Sequence, residues 1–356
     1  MHVAEPRGHA EAVRGLWRAA ARGRLPHALL FEGPDGTGKF LAARWLAQGL
    51  LCAGGPGDPC GACGPCRRLL SGGEQGNHPD CALIDPVQEE TESISIDRIA
   101  ERTGRGEKRE SAEAFLRLRP AEGGWRVLVI RDADRMLPPA QNALLKTLEE
   151  PSPGTLLVLV TARPAALLDT VRSRASRLFC APLEPADTAA VLAEEGLEGP
   201  GGELYARWSG GSPGRALRLH REGAAAAREL LVEVLEGRRE PLAASRAVWE
   251  LEGEFPGRTP RAEARARARA LLDLALALLQ DAQRAAAGVP PERLRHGDLG
   301  ERLARLGDGG SAAGTRARLE SLLGARQDID ANLAPEAVLD RALLALSPSP
   351  SRFPVR

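Results

Sequence analysis

Apolar residues follow two patterns along this chain. In the first half, short aliphatic runs stand out at 27–31 (His27-Ala28-Leu29-Leu30-Phe31), 127–130 and 156–160. Each is too short for a typical helix and too uniformly apolar for a strand with one wet face, so the runs predict strands of a parallel sheet covered on both sides. Between them, 39–46 and 140–149 place apolar residues at helical spacing. After Pro182 the continuous runs cease, and helical patterns alternate with the breaks Gly199-Pro200-Gly201-Gly202 and Gly210-Gly211-Ser212-Pro213-Gly214. From Gly223 onward come long Ala/Leu/Arg/Glu segments, notably 261–287 and 311–346, with leucines on one face and charges on the other. The expectation is α/β plus all-α: an α/β nucleotide-fold domain over 1–182, a small helical domain over 183–222 and an all-helical domain over 223–346. The Ser-Pro stretch that follows cannot continue a helix, and 347–356 is expected to be a disordered tail.

Composition narrows what such a molecule can do. Its 356 residues exceed one typical domain, and 43% hydrophobic with 27% charged residues are ordinary for a globular chain. The 48 basic and 48 acidic side chains cancel, so any nucleic-acid contact is expected to be local or shared with partners. Aromatics at 3% argue against a base-stacking platform. Glu5 and Glu11 interrupt residues 1–22, which show no apolar core of a secretory signal. The best candidates for a membrane span, 156–160 and 270–279, are too short or broken by Asp273. The expectation is a cytoplasmic protein with no membrane partner, whose six cysteines are ligands or core residues instead of disulfides.

The first predicted strand runs into Gly33-Pro34-Asp35-Gly36-Thr37-Gly38-Lys39-Phe40. In the G-x-x-x-x-G-K-[ST] phosphate loop, glycines let backbone N–H groups face phosphate, Lys neutralises it and a hydroxyl ligates Mg2+. Gly33, Gly36, Gly38 and Lys39 fit, while Phe40 puts a benzyl group where the hydroxyl belongs. A second departure follows the 127–130 strand, where Arg131-Asp132-Ala133-Asp134 replaces an Asp-Glu pair. Arg131 would repel Mg2+, and Asp132 is a methylene shorter than the glutamate that positions attacking water. Asp132 and Asp134 are therefore read as solvating a strand end. A separate signal is Cys52 with Cys60, Cys63 and Cys66, four thiols within fifteen residues carrying overlapping C-x-x-C units. That spacing suits a closed, structural Zn2+ site, with an iron-sulfur cluster or unliganded thiols as alternatives. Cys81 and Cys180 stand alone and are read as buried small residues. The arginine run 171–177 is, by chemistry alone, either a solvated face or a functional segment.

Taken together these residues resemble the delta-prime subunits of the bacterial DNA polymerase III clamp loader, within the AAA+ superfamily. The resemblance is carried by Gly23-Arg24-Leu25-Pro26-His27-Ala28, the four-cysteine insertion, His78-Pro79-Asp80, Ile94-Ser95-Ile96-Asp97, Asn142-Ala143-Leu144-Leu145-Lys146-Thr147-Leu148-Glu149-Glu150-Pro151 and Gly211-Ser212-Pro213-Gly214-Arg215-Ala216-Leu217. It implies an AAA+ P-loop domain, a helical lid and a helical collar. It also implies a catalytically silent stator that helps load a sliding clamp on primed DNA beside gamma/tau motor subunits and a delta subunit. Productive ATP/Mg2+ binding by this chain is not expected: where motor subunits carry a nucleotide-sensing arginine, Gly214 stands, and Arg215 is displaced by one residue. Ser173-Arg174 would be an arginine finger offered in trans to a neighbour's ATP, although Ala175 replaces the family's cysteine. A working gamma/tau-type ATPase and a zinc-dependent nucleic-acid binder with a vestigial P-loop are the competing readings.

Overall fold

A computed structural model describes residues 3–71, 76–86, 89, 91, 93–100, 111–122, 124–257, 259–308 and 312–348. Most of the expected tail, 349–356, lies outside the described residues. The chain divides into two compact units. One comprises Met1–Val191 with Gly211–Gly214, the other Leu192–Gly210 with Arg215–Arg356.

The first unit runs α1 (Ala10–Ala21), β1 (Ala28–Glu32), α2 (Lys39–Leu51), α3 (Gly64–Leu70), β2 (Cys81–Ile84), α4 (Ile96–Ile99), α5 (Ala112–Arg117), β3 (Arg126–Ile130), α6 (Pro138–Glu149), β4 (Thr155–Thr161), α7 (Asp169–Arg172) and β5 (Ser176–Phe179). The five strands are parallel in the order β2-β3-β4-β1-β5, with Ala28 opposite Leu157 and Val127 opposite Leu156. Every residue of β1, β3 and β4 is buried, which explains their continuous apolar runs. Leu29, Phe31, Val127, Val129, Leu156 and Val158 face a core shared with α1 and α2, while Leu30, Leu128, Ile130, Leu157 and Leu159 face α4, α5 and α6. The parallel α/β sheet of this unit is thus the one expected from the sequence.

β2 and β5 were not legible in advance. They are four-residue edge strands, and β5 alternates poorly, with Ser176, Arg177 and Phe179 exposed. Edges face water on one side and tolerate polar residues, so the hydrophobic signature is lost. Several family-like motifs are structural ties in this unit. His27 Nε2 donates to the Leu148 carbonyl at the end of α6 (3.0 Å), and Ile94 bridges Met136. Asp80 is fully buried and accepts from Ala121 N, Glu122 N and Arg126 Nη1 at 2.8 to 2.9 Å.

The second unit is helical. After α8 (Pro185–Glu194) come α9 (Gly199–Ser209), α10 (Pro213–Arg221), α11 (Ala224–Leu235), α12 (Pro241–Glu250), α13 (Pro260–Ala286), α14 (Glu301–Asp308), α15 (Ala312–Asp330) and α16 (Pro335–Leu346), with α8 and α10 crossing the division. Thr259 caps α13 by accepting from Ala262 N, with Pro260 at the first helical position, the start signal expected of a long helix. Arg267 on α13 donates to the carbonyls of Val248, Trp249 and Leu251 and so satisfies the end of α12. No helix among the described residues is long and apolar enough to cross a membrane.

Candidate functional site

The phosphate-loop segment spans β1 and α2, as its spacing requires. Gly33 takes φ 145°, and a Cβ there would lie 2.2 Å from the Cys180 carbonyl oxygen, so only glycine fits. Four successive loop carbonyls accept internal donors. Lys39 Nζ reaches Pro34 O (2.5 Å), Ser212 Oγ reaches Asp35 O (2.7 Å), Gly214 N reaches Gly36 O (3.0 Å) and His9 Nε2 reaches Thr37 O (2.8 Å). Because a carbonyl can only accept, His9 carries its proton on Nε2. Burial pushes the Lys39 ammonium below its ordinary pKa, opposed by Asp35. The lysine is thus turned back onto its own loop.

Phe40 and Arg131, the two departures from the phosphate-loop pattern, meet in space. The Arg131 guanidinium sits 4.7 Å from the centre of the Phe40 ring, and its Nη1 donates to Asp85 Oδ2 at 3.0 Å. The Asp85 side chain has no exposed surface. A cation stacked on an aromatic face is worth about 0.5 to 2 kcal/mol, and here it is also neutralised by a buried carboxylate. The place where a hydroxyl and an acid would hold Mg2+ is occupied by a protein cation with its own partner. Asp85 had no signal in the sequence; it lies one residue beyond β2, a strand that was itself unread.

Asp132 takes a left-handed conformation (φ 48°) beside Arg135, and burial raises its pKa. Asp134 departs from expectation. Its side chain is only 6% exposed, so it does not solvate the strand end. It accepts from Thr161 Oγ1 at 2.6 Å and from Arg163 Nε at 2.9 Å, joining the ends of β3 and β4.

Gly214 lies against the loop. A Cβ there would sit 3.0 Å from Gly36 Cα and 3.2 Å from Gly36 O, so a side chain must displace backbone. Arg215 belongs to the other unit, where its charge acts on Glu222 and Asp273. Ser212 and His9, which hold the loop, were not singled out as site residues. Ser212 lay inside a quoted motif, and His9 carried no signal.

Arg174 follows α7, and its side chain is 37% exposed. Its Nη2 lies 2.8 Å from Glu149 Oε1 and its Nη1 donates to the Thr170 carbonyl at 3.0 Å. Gln141, buried on α6, sets the start of α7: its Oε1 accepts from Leu168 N at 2.7 Å and its Nε2 donates to Ala166 O at 3.3 Å. Arg177 instead pairs with the buried Glu32.

The four cysteines converge. Their sulfurs lie within 4.8 Å of one another, with Cys52 Sγ 3.7 Å from Cys60 Sγ and 4.0 Å from Cys63 Sγ. Tetrahedral Zn2+ with Zn–S near 2.3 Å requires sulfurs about 3.8 Å apart, so the donor set fits that ion. N–H groups of Ala62 and Cys63 pull the Cys60 thiol down to about 6, favouring the thiolate, while burial pushes Cys66 up. With such an ion bound, the closed site would have a structural part to play, tying α2 to α3. Arg68 of α3 then pairs with Glu122, beside the Asp80–Arg126 tie. Cys180 is buried as expected, whereas Cys81 is only half-buried.

Comparison with known proteins bears on this arrangement. Residues 8–184 match the family described as DNA polymerase III, delta subunit. DNA polymerase III subunit delta' of Bacillus subtilis (strain 168) is 37% identical over 185 residues, covering 52% of this chain and 50% of that protein. The subunit of the same name from Pseudomonas aeruginosa is 35% identical over 231 residues, 63% of this chain and 64% of the relative. DNA polymerase III subunit gamma/tau of Mycobacterium bovis is 34% identical over 218 residues, 59% of this chain and 35% of that protein. The chain therefore spans about half to two thirds of the length of the two delta' relatives. By its matching family model and these relatives, the chain belongs to the family of DNA polymerase III delta-prime subunits.

Proposed function

We propose that this chain is a delta-prime stator of a DNA polymerase III clamp loader, silent at its own phosphate loop and active through Arg174 at a neighbour's. The observation that carries the reading is Arg131, stacked on Phe40 and bonded to buried Asp85. A guanidinium held there opposes a divalent cation, and Phe40 supplies no oxygen to bind one. Lys39, Ser212, Gly214 and His9 hold the loop as a strut. The helical second unit would pack with sister subunits as a collar, since amphipathic helices need partners for their apolar stripes.

In this reading gamma/tau motor subunits bind ATP. The Arg174 guanidinium would neutralise charge developing on a γ-phosphate held by the adjacent subunit, an effect of about 10^3 to 10^5 in rate. The delta subunit, the sliding clamp and primer-template DNA would be the other members of the cytoplasmic assembly. Cys52, Cys60, Cys63 and Cys66 would hold a structural Zn2+.

The test is reconstitution with gamma/tau and delta, with ATP turnover measured with and without clamp and primed DNA. The isolated chain should turn over no ATP, and Arg174→Ala should depress clamp-dependent turnover of the assembly. The similarity to gamma/tau proteins favours a second reading, a working ATPase with unusual metal ligands. Turnover by the isolated chain, abolished by Lys39→Ala, would establish that reading instead.

A further inference from the structure

Glu149 lies near the end of the longest of the motifs quoted above, and the proposed stator role leaves it without a task. In the fold it lies at the last position of α6 and makes an ion pair with Arg174 at 2.8 Å. Both partners are held by one helix. His27 pins the end of α6 through the Leu148 carbonyl, and Gln141 near its start fixes the backbone that begins α7. The pair is half exposed, 37% on Arg174 and 52% on Glu149, so water and competing anions can reach it. The second tether of the guanidinium, to the Thr170 carbonyl, is neutral.

We propose that Glu149 is a latch for the finger: a positioning residue that parks Arg174 along its own subunit until a phosphate oxyanion displaces the carboxylate. This rests on the reading of Arg174 as a finger. A carboxylate and a γ-phosphate compete for the same planar fork of N–H donors. An exposed pair is weak enough to exchange, yet it lowers the fraction of time the finger is free. The expected consequence is a higher threshold for hydrolysis before the assembly is fully engaged.

The experiment uses the reconstituted assembly with wild-type chain, Glu149→Gln, Arg174→Ala and the double variant. ATP turnover is measured without clamp or DNA and with both, alongside the thermal midpoint of each isolated chain. Glu149→Gln should raise unstimulated turnover by about two- to fivefold, the range expected of an exposed ion pair, and so compress the stimulation ratio. In the Arg174→Ala background the same substitution should have no effect, because the latch acts only through the finger. An unchanged stimulation ratio overturns the latch. So does a fall in both rates, which would make Glu149 an orienting partner, or an equal effect in both backgrounds, which would make its role structural. If Arg174→Ala itself leaves turnover unchanged, the finger reading fails and the latch goes with it, an outcome separable from failure of Glu149 alone.

Discussion

Arg131 and Arg174 each follow an element of the same parallel sheet or its connections, and each pairs with a carboxylate, yet the acids they pair with sit in opposite surroundings. Arg131 is itself 31% exposed, but its partner Asp85 is fully buried and its flat face rests on Phe40. Arg174 stays at the surface with a partner that is itself half exposed. A buried carboxylate cannot give up its counter-ion without a large desolvation penalty, whereas an exposed one exchanges readily. The environment of the acid therefore decides whether an arginine fills a site or can be offered to another molecule.

The sharpest break of that contrast is kinetic. Arg174→Ala should slow hydrolysis at the single neighbouring site it faces by about 10^3-fold, measured by single-turnover ATP cleavage in the assembly. Arg131→Ala should leave that rate unchanged. Equal effects of the two substitutions would erase the distinction.

Stability should rank them the other way. Removing Arg131 deprives a buried carboxylate of a charged donor and should cost about 2 kcal/mol in urea unfolding. Removing Arg174 should cost less than about 1 kcal/mol, as for other exposed pairs. Gly214→Ala tests the packing on the phosphate loop. Its new methyl must push Gly36 backbone, so a loss of about 1 kcal/mol is expected by the same measurement.

The smallest effect is expected at Asp132. Burial raises its pKa, so the fold favours the protonated form. Its contribution is therefore fullest at acid pH and is lost as pH rises through the raised value. Asp132→Asn should stabilise the protein by under about 1 kcal/mol at pH 7, since the side chain is partly exposed, and asparagine also tolerates its left-handed backbone. Chemical denaturation at pH 7 and pH 3 checks this, and the advantage should vanish at the lower pH.

Much of the fold was written locally. The central strands announce themselves because both faces are dry, and α13 because a long segment carries leucines on one face and charges on the other. The edge strands β2 and β5 are silent because half their surroundings are water. Among site residues, the four cysteines could be grouped from spacing alone, since knuckles of two residues bring thiols together whatever the rest of the chain does.

What the sequence determined alone was an inventory: a phosphate loop lacking its hydroxyl, an arginine where an acid belongs, a thiol cluster and an arginine after α7. The tertiary structure decided the pairings, because they join residues far apart in the chain. Phe40 at the start of α2 meets Arg131 just beyond β3, Arg131 finds Asp85, Ser212 and Gly214 hold the loop of 34–37, and Glu149 parks Arg174. Residue type sets what a side chain can do, but burial and partner set its charge, its freedom and so its use, and neither is a property of local sequence.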